Sequence, residues 1–466
     1  MTALVEFKNL TFSYQSASKP ALEDLNLTLN PGQALLVTGR SGGGKSTFLR
    51  LLNGLAFHHF HGRIQGELKV LGENHFQKSL QEIAAEVAAV FQNPEAQFFG
   101  LTPKDEILIA WECRGLPLEK AHDLLEKWSF DFAINNILDK ELSTLSSGEK
   151  QKTVLVENLA LNPALLILDE PSANLDPQSL LELTEKLIAL KKTGLSIVIV
   201  DHRLRWLAKL IDRAIILDDG HLAFEGSFKD LLNNTANFGL RSVTPVANPP
   251  LTANPNSLGV EYLNLDFAYP FKPNLFTNLS FTLPERTVTL VKGRNGCGKT
   301  TLMKITAGIL KASKGEIKFL GKPLASTQRL SRSSLVPQNA DRQLVTRSVR
   351  EELEEATLGH KLKETTVLEE LKYWNLLELS SRHPQSLSGG EKQRLALAVA
   401  MIRQTEFLAL DEPTSGLDGI NLNLAKNAIQ KAAQTRSVFL ITHDEDLKEL
   451  IPCCVMNLDT LANNTF

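Results

Sequence analysis

Short apolar runs and alternating segments set the rhythm of this chain. Near its start, Leu4, Val5 and Phe7 are interrupted by Glu6 and Lys8, a strand-like alternation. Ala34 to Thr38, Leu165 to Leu168 and Ser196 to Val200 are continuous apolar runs of strand length, separated by helix-length amphipathic stretches. Continuous apolar strands alternating with helices predict an α/β fold with a largely parallel core sheet. The second half repeats this order.

The repeat is visible in the polar motifs as well. Gly39, Arg40, Ser41, Gly42, Gly43, Gly44, Lys45, Ser46 and Thr47 recur as Gly293, Arg294, Asn295, Gly296, Cys297, Gly298, Lys299, Thr300 and Thr301. The segment from Leu145 through Ser146, Gly148 and Glu149 recurs from Leu387 through Ser388, Gly390 and Glu391. Asp169 and Glu170, at the end of an apolar run, recur as Asp411 and Glu412. Each aspartate follows its signature serine by 23 residues, a shared spacing that independent matches would not produce. Two domains follow, 1–237 and 258–466, joined by a linker at 238–257 that carries Pro245, Pro249, Pro250 and Pro255.

Composition narrows the function. A chain of 466 residues with 43% hydrophobic and 22% charged residues can bury two cores, and its formal charge of -3 offers no basic field for nucleic acid. Four irregularly spaced cysteines make neither a disulfide framework nor a zinc knuckle and suit a reducing compartment. No secretory leader is expected at the N-terminus, and no apolar run approaches the roughly 18 residues that span a bilayer.

The glycine-rich loops supply the clearest chemistry. Glycines allow a tight turn that aims backbone N–H groups at phosphate oxygens where a helix begins, and Lys45 and Lys299 add positive charge. Ser46 and Thr300 supply a hydroxyl for Mg²⁺, completing the phosphate-loop pattern. Asp169 and Asp411 end strands where a carboxylate reaches the hydration shell of that Mg²⁺, and Glu170 and Glu412 are placed to orient or deprotonate water.

The added Leu-Ser-x-Gly-Glu signatures make the whole chain resemble the ATP-binding-cassette (ABC) family. That resemblance implies two tandem P-loop domains, each with a mainly parallel core sheet, an antiparallel β part and a helical subdomain. It implies ATP and Mg²⁺ as cofactors, and sites in which Ser388 and Gly390 complete the first while Ser146 and Gly148 complete the second. His202 and His443 resemble the switch histidine at the γ-phosphate, Gln92 and Gln338 the glutamine that senses Mg²⁺, and Asp176 and Asp418 the coupling loop. Tyr14 and Tyr269 resemble the aromatic that stacks on adenine, although core aromatics are equally compatible with the pattern.

Phe91 to Phe99, with Gln92 and Gln97, is similar to the glutamine loop of energy-coupling factor importers. That implies integral membrane partners, a shared transmembrane subunit and a substrate-binding subunit, a vitamin or transition-metal cargo, and a peripheral place on the cytoplasmic face of the membrane. Phe98 and Phe99 would then form an apolar groove for a short helix, or else belong to the core. The rivals are a ribosome-associated translation factor, which carries a long charged helical linker, and the fused ATPase of a sugar importer, which commonly has one degenerate site. A DNA-repair cassette would need a long heptad insertion that is absent here.

Three further expectations concern single residues. The cluster from Phe57 to His61 reads as a surface loop rather than a metal site. Cys297 reads as a space-filler, although a helix N-terminus could activate its thiol. Ser147, where the second half has Gly389, would be strained if the position needs a positive φ, which predicts a slower second site and a larger loss from Glu170→Gln than from Glu412→Gln.

Overall fold

The computed structural model describes residues 2–15, 19–60, 62–92, 94–159, 162–173, 175–241, 258–294, 296–357 and 364–463. The chain divides into two compact units, 1–243 and 244–466. Phe238, Leu240 and Arg241, which the composition places in the linker, pack into the first unit, with Arg241 only 3% exposed. Apolar burial at Phe238 and Leu240 overrides the low local periodicity there. The remainder of the expected linker, and Asn295 of the second phosphate loop, lie outside the described residues.

The first unit contains β1 (Val5–Ser13), β2 (Leu22–Leu29), β3 (Ala34–Thr38), β4 (Arg63–Val70), β5 (Glu73–Asn74), β6 (Val87–Val90), β7 (Leu165–Asp169), β8 (Ser196–Val200), β9 (Arg213–Asp218) and β10 (His221–Ser227). An antiparallel sheet has the order β2-β1-β4-β5; the central sheet runs β10-β9-β3-β8-β7-β6 and is parallel except for the β9–β10 hairpin. The second unit contains β11 (Val260–Ala268), β12 (Asn274–Leu283), β13 (Val288–Lys292), β14 (Lys314–Phe319), β15 (Lys322–Pro323), β16 (Ser333–Val336), β17 (Phe407–Asp411), β18 (Ser437–Ile441) and β19 (Cys454–Asn457). Its sheets repeat the plan as β12-β11-β14-β15 and an all-parallel β16-β17-β18-β13-β19.

Two-sided burial explains the continuous apolar runs. Ala34 and Leu36 of β3 join a core with the helices Pro103–Cys113, Ser147–Leu159 and Pro177–Lys192, while Leu35 and Val37 join another with the antiparallel sheet and the helix Lys45–Leu52. Leu166 and Leu168 of β7 face the first core, and Leu165 and Ile167 the second. The carboxyl ends of β3, β7 and β8 are thereby brought side by side.

Candidate functional site

In each unit the phosphate loop links the central strand to a helix. Gly44 and Gly298 cap the helices Lys45–Leu52 and Lys299–Thr306 with φ of 102° and 99°, and a Cβ at Gly44 would lie 2.6 Å from the Ala21 carbonyl oxygen. Only glycine takes that conformation at that distance. Lys45 Nζ donates to the carbonyls of Gly39 at 2.9 Å and Arg40 at 2.7 Å; Lys299 does the same with Gly293 at 2.8 Å and Arg294 at 3.0 Å. Both ammonium groups are thus held inside the curve of their loops.

Tyr14 and Tyr269 sit against the first turn of these helices. Tyr14 Oη lies 3.1 Å from Thr47 Oγ1 and accepts from Arg50, and its ring meets Phe12 and Phe60 edge-on. Tyr269 Oη lies 3.0 Å from Thr301 Oγ1, with its ring edge-on to Phe267.

The acidic pair follows directly. Asp169 pairs with Val200 in the β7–β8 register, and the next residue, Glu170, takes φ of 47° while its amide donates to the Val200 carbonyl. Glu412 repeats this with φ of 48° and an amide bond to Ile441. A left-handed turn at a residue with a Cβ is uncommon, and here it turns both glutamates off the strand end.

Around Glu170 the first unit gathers Gln92, whose Nε2 donates to Oε2 at 2.8 Å, and His202, whose Nε2 lies 3.7 Å from Oε1. Asp201 lies beside them, accepting from Ser172 Oγ at 2.9 Å and the Arg203 amide at 2.8 Å. Burial, then the charges of Asp169 and Asp201, push Glu170 up to about 8, against the pull of Lys45 and Arg241. Burial likewise raises Asp169 to about 6, and holds His202 well below its ordinary value, with Lys45 and Arg241 adding to the effect. At neutral pH the His202–Glu170 contact therefore joins a neutral imidazole to a largely protonated carboxyl and is no ion pair.

The second unit surrounds Glu412 differently. Thr442 Oγ1 donates to Oε2 at 3.0 Å and the His443 amide to Oε1 at 2.6 Å, while Thr300 Oγ1 donates to Asp411 Oδ2 at 2.6 Å. Burial raises Asp411, and its bond from Thr300 opposes the rise. Gln338 is exposed, in contrast to Gln92.

The signature segments begin helices. Ser146 and Ser388 each cap their helix through a reciprocal bond with Glu149 or Glu391, which gives the signature glutamate a local structural reason. Gln151 Nε2 donates to the Pro171 carbonyl, and Gln393 Nε2 to that of Glu412, tying each signature helix to the acidic loop of its own unit. Gly148 packs close to Ser179, which follows the helix cap Asp176; Asp418 caps the corresponding helix.

The ABC transporter family model matches residues 22–173 and 276–415, more than half of the chain. The chain belongs to the ABC transporter family. An ABC transporter ATP-binding protein of Treponema denticola is 34% identical over 95% of this chain and 92% of its own length. A Bacillus subtilis protein, by name an HMP/thiamine import ATP-binding protein, YkoD, is 31% identical over 95% of this chain and 88% of its own. The solved structure of ribosome-bound archaeal Pelota and ABCE1 contains a chain matched with a TM-score of 0.70 at 21% identity, covering 96% of this chain and 76% of that one; it shares the fold.

This fused double-cassette ABC ATPase is an ATP hydrolase that uses Mg²⁺. Its residues fit the nucleotide: amide-rich loops at helix starts suit phosphates, and the Thr300 hydroxyl with the Asp411 carboxylate is an oxygen pair suited to Mg²⁺. Several expectations need correction. Ser147 and Gly389 are the first residues of their helices and neither has a positive φ, so the strain argument for a slower second site has no basis. Cys297 is the space-filler expected, its Sγ beneath Gly293, and burial raises its thiol above the ordinary value, so the helix start does not activate it. Phe98 packs against the first core, whereas Phe99 is 88% exposed, so the two do not line one groove. Phe57 and His58 end a short helix, with His58 Nε2 2.9 Å from the Lys78 carbonyl, while His61 lies outside the described residues.

Sequence reasoning missed Asp201 and Arg241 in the ABC ATPase's first cassette. The first was signalled by the difference between Asp201-His202 and Thr442-His443; the second was hidden in a stretch that reads as linker.

Proposed function

We propose that this ABC ATPase powers import of a small solute, a vitamin or a transition-metal ion, as the ATP-binding subunit of an energy-coupling factor transporter. It would lie at the cytoplasmic face of the membrane, bound to a transmembrane subunit and a substrate-binding subunit. The observation carrying this reading is Gln92: it touches Glu170 and opens a segment whose far end exposes Phe99 and Leu101, at 88% and 79%. Exposed apolar side chains two residues apart suit a short partner helix. The name of the Bacillus relative supports solute import. Among the described residues no helix is long and apolar enough to cross a membrane.

At each phosphate loop, Lys45 or Lys299 and the loop amides hold phosphates, with Tyr14 or Tyr269 beside the base. Ser46 with Asp169, and Thr300 with Asp411, would hold Mg²⁺, which when bound would neutralise charge on the transferred phosphoryl group. Glu170 and Glu412 orient the attacking water and take its proton, and His202 and His443 contact the γ-phosphate. Gln92 and Gln338 relay the state of the site, while Ser146, Gly148, Ser388 and Gly390 offer serine hydroxyls and helix-start amides to nucleotide.

Affinity purification of the tagged chain from gently solubilised membranes, followed by mass spectrometry, tests the reading. A polytopic subunit with small substrate-binding membrane proteins is the expected result. Ribosomal proteins without membrane subunits would contradict it and leave only the ATPase.

A further inference from the structure

Each glutamine-loop segment is fastened at both ends by side chains, and the far-end fastening is repeated in both units. At the near end Gln97 accepts from the Phe91 amide at 3.0 Å and donates to the Ala89 carbonyl at 3.3 Å; Gln343 donates to Leu335 at 3.1 Å. At the far end a buried glutamate reaches back from the following helix. Glu106 Oε2 accepts from the amides of Phe99 at 2.7 Å and Gly100 at 2.5 Å, and Glu352 Oε2 from those of Val345 at 3.1 Å and Thr346 at 3.0 Å, with the Thr346 hydroxyl at 2.8 Å.

The contrast between carboxylate and cargo is steep. Glu106 and Glu352 are 3% and 6% exposed, while the residues whose amides they hold present Phe99 at 88% and Val345 at 82%. Gly100 lies so close that a Cβ there would sit 2.7 Å from the Glu106 nitrogen. Between the ends, Lys150 of the first signature helix pairs with Glu95 at 2.5 Å, and Lys392 of the second with Asp341 at 2.6 Å.

We infer that Glu106 and Glu352 are positioning residues that lock the exposed apolar apex of each glutamine loop to the helical part of its unit, so that a push on the apex reaches the signature helix. A carboxylate suits this task because it accepts from two amides at once near a helix start, where the helix dipole favours its charge. Without the latch, Phe99 and Val345 would still be exposed, but force on them would only bend the segment. The inference rests on the proposed membrane partnership for its consequence, although not for the latch itself.

Glu106→Ala, Glu352→Ala and Glu106→Gln are to be compared in the full chain and in the complex purified from membranes and returned to lipid vesicles. Amide hydrogen exchange reads the latch; the ratio of ATP hydrolysis in the complex to that of the isolated chain reads coupling. We expect the alanine variants to speed exchange at 99–100 or 345–346 by about 10- to 100-fold and to cut the ratio about tenfold, with isolated-chain hydrolysis within about twofold of wild type. Glu106→Gln, whose amide oxygen still accepts, should retain most of both. Unchanged exchange, or equal loss of isolated and coupled hydrolysis, would overturn the inference. If no membrane subunit is recovered, the importer reading fails while exchange still decides the latch.

Discussion

In the first cassette the acid stands before the histidine, Asp201 then His202; in the second it stands after, His443 then Asp444. This shift of two positions changes what the adjacent glutamate feels. Asp201 adds negative charge beside Glu170, and with burial and Asp169 it drives that carboxyl up to about 8. At the matching place Thr442 offers a hydroxyl to Glu412, and Asp444 turns instead to Thr414 at 2.6 Å. Both acids complete a bond to the same acidic loop, Ser172 in one unit and Thr414 in the other.

The helical parts differ too. In the second cassette Arg394 donates to the Trp374 and Asn375 carbonyls at 2.8 and 3.1 Å, and Tyr373 Oη to Leu424 at 3.0 Å. In the first, Lys152 pairs with Glu182 instead, and a cavity of about 310 Å³ lies behind Gly148, lined by Phe132, Leu155 and Leu183. At this place the second helical part is held by bonds from side chains to backbone carbonyls and the first by an ion pair.

These differences can be broken one at a time. Glu170→Gln should lower steady-state hydrolysis at pH 7 by less than about 10-fold, because a base already protonated contributes less. A loss above about 100-fold in a phosphate-release assay would contradict it. Arg394→Ala should cost about 2–3 kcal/mol in denaturant unfolding by stranding two carbonyls, whereas Lys152→Ala should cost less than about 1 kcal/mol for a partly exposed pair. Asp201→Thr, placed in the Glu412→Gln background, should raise single-turnover hydrolysis at pH 7 about tenfold by relieving Glu170 of one charge. The smallest effect concerns Ala133, at φ of 53° where the second unit has Asn375 at 52°. Ala133→Gly should stabilise by about 0.5–1 kcal/mol, measured as a shift in denaturation midpoint.

The parts legible from sequence are those dictated by local pattern. Continuous apolar runs became doubly buried strands, and the glycine loops fell between strand and helix because spacing fixes both. What escaped depends on three-dimensional burial. The Asp201 charge matters only because Glu170 is enclosed with it, and Arg241 reaches that enclosure from a segment whose composition suggests a linker. Ser147 stands at a helix start, and residue identity alone does not reveal whether a glycine in the repeat marks a left-handed turn or such a start. The pattern places Gln97 in the glutamine loop, but the backbone amides and carbonyls that Gln97 and Glu106 hold follow only from the folded chain.

The most direct test of the account is the pH dependence of single-turnover ATP hydrolysis in Glu412→Gln, which leaves the first cassette's base, with and without Asp201→Thr. Protonation blocks a base, so hydrolysis by the first should climb about tenfold per pH unit below its transition and level off only above about pH 8. The same variant with Asp201→Thr should level off at a lower pH, because one of the charges that raise Glu170 is gone. Superimposable profiles, or a first cassette already at its plateau at pH 6, would contradict the account.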